Sequence, residues 1–221
     1  MSDLVIAIDG PAGAGKSTVA KLLARDLGLS YLDTGAMYRA LALAAQRAGL
    51  KADDGGAAAE LGRRSDISFG PGDPQHVFLD GQDVTKEIRL PEIGELASAL
   101  SVFPPVRRVL VERQKAIVAQ GGVVLEGRDA TTIIAPHAQV KVYLTASLEE
   151  RAQRRFVELQ AKGHESAYEQ VRKEVESRDH RDITRDDSPL TVAPGAQLVE
   201  SAGLTPAQVV DKIKALIPRE A

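Results

Sequence analysis

The sequence predicts an α/β fold in which helices flank a parallel sheet. Three observations carry the prediction: short unbroken apolar runs that suit buried strands, helical-period segments between them, and glycine where one gives way to the other. Leu4-Val5-Ile6-Ala7-Ile8 is the first such run, and glycine-rich sequence follows it at once. A helix is expected from about Lys16 to Leu27, with Val19, Leu22, Leu23 and Leu27 on its apolar period and Gly28 placed to end it. A short strand is expected near Ser30-Tyr31-Leu32, then a second helix over roughly Gly35 to Ala48, stopped by Gly49.

From Lys51 to Gly72 the chain turns rich in Gly, Ala and Asp. The β-prone segments Ile67-Ser68-Phe69, Val77-Phe78-Leu79 and Val84-Thr85 follow, with Asp80-Gly81 as a turn signal. Residues 63–90 therefore read as a small antiparallel insert. Helical pattern resumes near Pro91 and after Pro104-Pro105, where Val106, Val109, Leu110, Ile117 and Val118 form an apolar stripe that Gly121-Gly122 ends. Val123-Val124-Leu125 and Val140-Lys141-Val142-Tyr143-Leu144 read as two more buried strands, and Leu198-Val199 as a weaker candidate. Strands alternating with helices of this length imply a parallel sheet with helices on both faces.

The 221 residues suffice for one α/β domain with insertions, and a single domain over 1–221 is expected. Hydrophobic residues at 43% and charged residues at 27% are ordinary globular usage, and no apolar run approaches the ~20 residues that span a bilayer. The start, Met1-Ser2-Asp3-Leu4, lacks the pattern of a secretory signal, so a cytoplasmic location and no membrane partner are expected. With no cysteine there is no disulfide, thiol nucleophile or thiolate metal site. A net charge of −3 argues against a nucleic-acid polymer as partner.

Arginine nevertheless clusters at Arg128, Arg151, Arg154, Arg155, Arg172, Arg178, Arg181 and Arg185. Guanidinium grips phosphate oxygens bidentately, so the cluster suits a compact polyphosphate; solvated helix faces with i,i+4 ion pairs are the alternative, for Arg172 and Arg151 above all.

Gly10-Pro11-Ala12-Gly13-Ala14-Gly15-Lys16-Ser17 matches G-x-x-x-x-G-K-[ST] between an expected strand and an expected helix, the context the motif requires. Curled backbone and a helix N-terminus aim N–H groups at phosphate oxygens. Lys16 would reach the β- and γ-phosphates of ATP, Ser17 would place its hydroxyl on Mg²⁺, and Thr18 completes the triphosphate-binding run. A GTPase would need an N-K-x-D segment, and the chain has no asparagine.

Further motifs extend the reading: Asp33-Thr34-Gly35-Ala36-Met37-Tyr38-Arg39, Phe103-Pro104-Pro105-Val106-Arg107, Glu126-Gly127-Arg128-Asp129, the E-E-R-A-x-R-R run from Glu149 to Arg155, and Arg178-Asp179-His180-Arg181-Asp182. With the I-D-G-P-x-G-A-G-K-S opening and the hairpin insert, they resemble the bacterial-type cytidylate (CMP) kinase family over nearly the whole chain. The resemblance implies a P-loop nucleoside monophosphate kinase fold. This has a five-stranded parallel sheet, an acceptor-binding region around 34–100 and a short lid around 146–165. It also implies transfer of phosphate from ATP to CMP or dCMP in pyrimidine metabolism, with Mg²⁺, by a monomer.

The same resemblance assigns roles to residues. Arg39 and Arg128 would clamp the acceptor phosphate with Arg185 nearby, Asp129, Arg107 and Ser98 would read cytosine, and Arg178 and Asp182 would hold the sugar. Thr34 and Tyr38 would line that pocket. Arg154 and Arg155, ahead of Arg151, would close over the triphosphate, making the catalytic set Lys16, Arg39, Arg128, Arg154 and Arg155. No protein nucleophile is needed, because phosphoryl transfer between two anions is positioning plus charge stabilisation.

Several residues stay open at this level. Glu126 is either an acid beside Mg²⁺ or a strand-end partner for an arginine, and Asp9 and Asp33 are similarly undecided. His76, His137, His164 and His180 read as surface or loop positions. After Arg128-Asp129 the family usually carries a hydrophobic residue, Gly and Thr; here Ala130-Thr131-Thr132 stands instead. Kinases for UMP, dephospho-coenzyme A or shikimate are alternatives, as is a nucleotide switch without turnover; the second arginine set, Arg39 and Arg128, argues against the switch.

Overall fold

The computed structural model describes residues 3–161 and 163–218. Lys162, within the expected lid, and the ends of the expected 1–221 domain lie outside the described residues. In chain order the elements are β1 (Val5–Asp9), α1 (Lys16–Leu27), β2 (Ser30–Asp33), α2 (Thr34–Arg47), α3 (Gly55–Arg64), β3 (Ile67–Gly70), β4 (His76–Leu79) and β5 (Gln82–Asp83). Then come α4 (Pro91–Leu100), α5 (Pro104–Val118), β6 (Val123–Gly127), β7 (Val140–Thr145), α6 (Leu148–Ala161), α7 (Tyr168–Thr184), β8 (Gln197–Glu200) and α8 (Pro206–Lys214). The described residues form two compact units: 3–32 with 117–161 and 163–218, and Asp33–Ala116.

The first unit is built on a five-stranded parallel sheet of order β2-β6-β1-β7-β8. Ile6, Ala7, Ile8 and Asp9 of β1 are all wholly buried, as an unbroken apolar run between two faces requires. Fully burying a side chain such as Ile6 or Ile8 is worth about 1.5–3 kcal/mol each. Val19, Ala20 and Leu23 of α1 and Val209, Val210 and Ile213 of α8 pack into the same core. Helix α8 begins with a capping box in which Thr205 and Gln208 satisfy each other's backbone N–H, followed by Pro206. Helices α6 and α7 enclose a smaller cluster of Leu159, Val171 and Val175 with Leu148 and Phe156, and the loop residue Ala12 is part of it.

The second unit carries helices α2, α3, α4 and most of α5 with the antiparallel sheet β3-β4-β5. Asp80 and Gly81 both have positive φ, 50° and 78°, in the two-residue turn between Leu79 and Gln82. That is the geometry Asp-Gly favours at a hairpin. The third strand is Gln82–Asp83, one step before the expected Val84-Thr85. Val84 donates to the Val77 carbonyl and Thr85 Oγ1 accepts from Val77 N–H, so a side chain takes over where the ladder would continue.

Helix α3 is an element that the reading of Lys51–Gly72 did not foresee. Its buried face consists of Gly55, Ala58, Ala59 and Gly62. A Cβ at Gly55 would sit 2.2 Å from the Phe103 ring, and one at Gly62 would press on Leu41 and Val109. The small residues of this Gly- and Ala-rich stretch are the ones that let the helix approach its neighbours.

Candidate active site

The loop from Gly10 to Gly15 joins β1 to α1, and its path is fixed by close approach. At φ 151° a Cβ on Gly10 would lie 1.9 Å from the Leu144 carbonyl oxygen of β7. Gly13 and Gly15 also hold positive φ, and α1 starts at Gly15 without a side-chain cap. First-turn N–H groups of such a helix favour an anion.

Lys16 is 5% exposed and its Nζ donates to the Pro11 carbonyl at 2.8 Å. Burial first, then the charge of Arg128 with a further contribution from Arg178, brings its pKa down to about 7, against the opposing pull of Glu126. Ser17 Oγ donates to Glu126 Oε1 at 2.6 Å, and the Tyr31 hydroxyl donates to the same oxygen at 3.3 Å. Glu126 is therefore the partner of the P-loop serine. A hydroxyl and a carboxylate side by side are hard oxygen donors, and they suit Mg²⁺, which binds few protein groups and relies on phosphates and water for the rest.

Arg128, just past β6, donates from Nε to Asp182 Oδ2 at 2.7 Å, and Arg185 Nη1 lies 3.7 Å from Asp182 Oδ1. Burial pushes the Asp182 carboxyl up, yet Arg128, Arg178 and Arg185 together hold it below the usual carboxylate range. The sheet unit thus brings Lys16, Arg128, Arg178, Asp182 and Arg185 into one electrostatic group. Asp129, 4% exposed, follows Arg128 and opens a π-helical turn over Ala130–Ile134.

Asp9 has a defined structural task. Its carboxylate accepts from Ala130 N–H at 2.8 Å, Thr131 N–H at 2.7 Å and the Thr131 hydroxyl at 2.5 Å. Burial, opposed by the Thr131 hydrogen bonds and aided by the Asp129 charge, pushes its pKa up to about 6. The threonine standing where the family resemblance predicts glycine supplies two of the three donors, and a glycine there would keep only the N–H.

On α6, Arg154 donates to Ser201 Oγ at 2.9 Å, Ser201 O at 3.0 Å and Ala14 O at 3.4 Å, so it sits against the P-loop. Arg155 instead pairs with Glu158 on the exposed side. Arg172 pairs with Glu176 at i,i+4 and with Glu149, as the solvated-face reading expects. Arg151 departs from that reading: it is 8% exposed and pairs with Asp179.

In the second unit, Asp33 caps α2 by accepting from Ala36 N–H at 2.8 Å and also binds Arg39 Nη2 at 2.8 Å. Thr34 and Ser98 are buried, and Tyr38 is half-buried. Arg107 is 2% exposed and donates to the Ser101 carbonyl at 3.5 Å. Ser98 Oγ is a buried hydroxyl without a hydrogen-bond partner among the described residues. Leaving such a group unsatisfied costs about 1–3 kcal/mol, a cost that a ligand can relieve.

A family model described as cytidylate kinase matches residues 6–219. The chain belongs to the cytidylate kinase family. A cytidylate kinase of Caldanaerobacter subterraneus is 50% identical over 208 residues, covering 94% of this chain and 92% of the relative. A cytidylate kinase of Carboxydothermus hydrogenoformans is 49% identical over 216 residues, 97% of each chain. The crystal structure of a gluconokinase from Sinorhizobium meliloti superposes with a TM-score of 0.50 at 12% identity, covering 98% of this chain and 91% of that one, a likeness of fold alone. No helix among the described residues is long and apolar enough to cross a membrane.

For this member of the cytidylate kinase family, sequence reasoning passed over Asp179, Ser201 and Tyr31 and left Asp9 and Glu126 undecided. Asp179 carried a signal, since it lies three residues before Asp182 in Arg178-Asp179-His180-Arg181-Asp182, on the same side of α7. Ser201 and Tyr31 carried none, because their partners are far away in the chain.

Proposed function

We propose that this protein transfers the γ-phosphate of ATP to CMP or dCMP, giving ADP and CDP or dCDP, as a monomer in cytoplasmic pyrimidine metabolism. One observation carries the reading beyond family membership: the buried Lys16 lies close enough to two further cations, Arg128 and Arg178, to feel their charge, and burial first, then those charges, bring its pKa down to about 7. Such convergence of positive charge suits two anions meeting. In the reaction an oxygen of the acceptor phosphate forms a bond to the γ-phosphorus. The bond from that phosphorus to the β,γ-bridging oxygen breaks, and ADP leaves with the electron pair.

Residues Gly10 to Thr18 hold the triphosphate, with Lys16 on the β- and γ-phosphates. Ser17, supported by Glu126, would be the protein's ligand for Mg²⁺, which would supply charge neutralisation to the triphosphate. Arg39, Arg128 and Arg185 bind the acceptor phosphate, and Arg178 and Asp182 its sugar. Asp129, Arg107 and Ser98 read cytosine, the orphaned hydroxyl of Ser98 being one donor in search of an acceptor. Thr34 and Tyr38 line the acceptor pocket, while Arg154 and Arg155 close the lid segment 146–165 over the triphosphate.

The test is ADP release with Mg-ATP and CMP, dCMP, UMP or AMP as acceptor. CMP and dCMP should react far faster than the others, and equal rates with UMP would sink the proposal. Asp129→Ala should narrow the gap between CMP and UMP, because the carboxylate faces the N4 amino group of cytosine and opposes the O4 of uracil.

A further inference from the structure

Arg151 and Asp179 have no part in the function proposed above, yet they form a buried, multiply bonded pair against the P-loop. Asp179 Oδ1 accepts from the N–H of Ala12 at 2.9 Å, and its Oδ2 is paired with Arg151 Nη1. Arg151 Nη1 also donates to the Ala12 carbonyl at 3.0 Å, and its Nε to the Ala146 carbonyl at 2.9 Å. Each residue is 8% exposed. The loop is held against these helices in two more ways. A Cβ on Gly13 would lie 2.8 Å from the Arg151 carbonyl oxygen, and Ala12 packs into the cluster with Leu159, Val171 and Val175.

The consequence follows from one peptide group. The N–H of Ala12 and the C=O of Pro11 belong to the same rigid plane and point in opposite directions, so fixing one fixes the other. The Asp179 carboxylate fixes the N–H end, and the Lys16 ammonium is bound at the carbonyl end, 2.8 Å from Pro11 O. A charged acceptor on the N–H also polarises the carbonyl and strengthens its hold on the cation.

We propose that Arg151 and Asp179 are positioning residues for Lys16. Arg151 orients the carboxylate, the carboxylate orients the Pro11–Ala12 peptide, and that peptide sets where the Lys16 ammonium waits beside the triphosphate. The pair joins α6 and α7 to the lysine through a single hydrogen-bonded line. This rests on the reading of Lys16 as a triphosphate ligand, and not on the identity of the acceptor.

The test uses the full chain with Asp179→Ala, Asp179→Asn and Arg151→Met, which retains much of the buried stem. ATP affinity is measured by calorimetry, turnover by ADP release, and CMP affinity separately by thermal shift. Outer partners of this kind are worth about 10–100-fold. Asp179→Ala and Arg151→Met should each lower kcat by that factor, with Asp179→Asn between Asp179→Ala and the parent. CMP affinity should stay within about two-fold, although Arg178 and Asp182 share α7 with Asp179. The deciding measurement is coupling: in a Lys16→Met background, Asp179→Asn should leave ATP affinity unchanged. Losses of ATP affinity that add fully to those of Lys16→Met, or an equal loss of CMP affinity, overturn the proposal. Failure to phosphorylate CMP in the parent would sink the acceptor reading and leave the ATP coupling result standing.

Discussion

The two units differ in how some of their buried and half-buried polar groups find partners. In the sheet unit several buried or half-buried partners are far apart in the chain, Ser17 with Glu126, Arg128 with Asp182, and Asp9 with Thr131, while exposed pairs such as Arg155 with Glu158 are local. In the unit over Asp33–Ala116, several are neighbours: Asp33 with Ala36 and Arg39, Ser101 with Ser98, and Arg107 with Ser101. Long-range pairs tie strand ends and helices to one another and are buried with them, so removing one member strands a charge in the interior. Neighbouring pairs order one helix end and leave the rest of the fold indifferent. The difference teaches where substitution should be costly.

The largest expected effect is at the P-loop itself. Lys16→Ala should lower kcat about 10³-fold in an ADP-release assay, the scale for losing one preorganised charge at a transition state. A fall under ten-fold would show that the other cations suffice. Next, Asp182→Ala should lower the free energy of unfolding in urea by about 3 kcal/mol, because Arg128 is left buried without its carboxylate.

Thr131→Ala comes third, at about 1–2 kcal/mol, and its size should depend on pH. The folded-state pKa of Asp9, about 6, lies above the ordinary 3.8. The stability carried by its bound proton is therefore complete below 3.8 and lost as pH rises through about 6. Removing the hydroxyl donor raises that pKa further, so the deficit of Thr131→Ala should widen between pH 4 and pH 7 in unfolding titrations. A deficit that shrinks over that range contradicts the assignment. Smallest is Asp33→Ala, about 1 kcal/mol for the lost helix cap. If it cost as much as Asp182→Ala, the contrast between local and long-range partnering would fail.

That same contrast decided what could be read from the sequence. The P-loop, the Asp80-Gly81 turn and the β1, β6 and β7 strands are contiguous patterns, and each stands where its residues place it. Helix α3 was missed because Gly55 and Gly62 mark close packing, which a single stretch of chain cannot reveal. Arg151, Arg154 and Arg155 share a helix and a spacing that suggest one role. Their surroundings separate them into a buried pair with Asp179, a contact with Ser201 and an exposed pair with Glu158. Asp9 and Glu126 were visible as strand-end acids, but their partners lie more than a hundred residues away. The family resemblance supplied acceptor roles for Arg39, Arg107 and Asp129 that spacing alone could not.

The Thr131 hydroxyl on Asp9 has a consequence for recombination. Position 131 is where the resemblance predicts glycine, and here its side chain is bound to a residue 122 positions earlier. Replacement by glycine would thus leave the buried Asp9 carboxylate one donor short in this chain. A chimera joined anywhere between the two positions inherits one half of an arrangement that was settled as a pair.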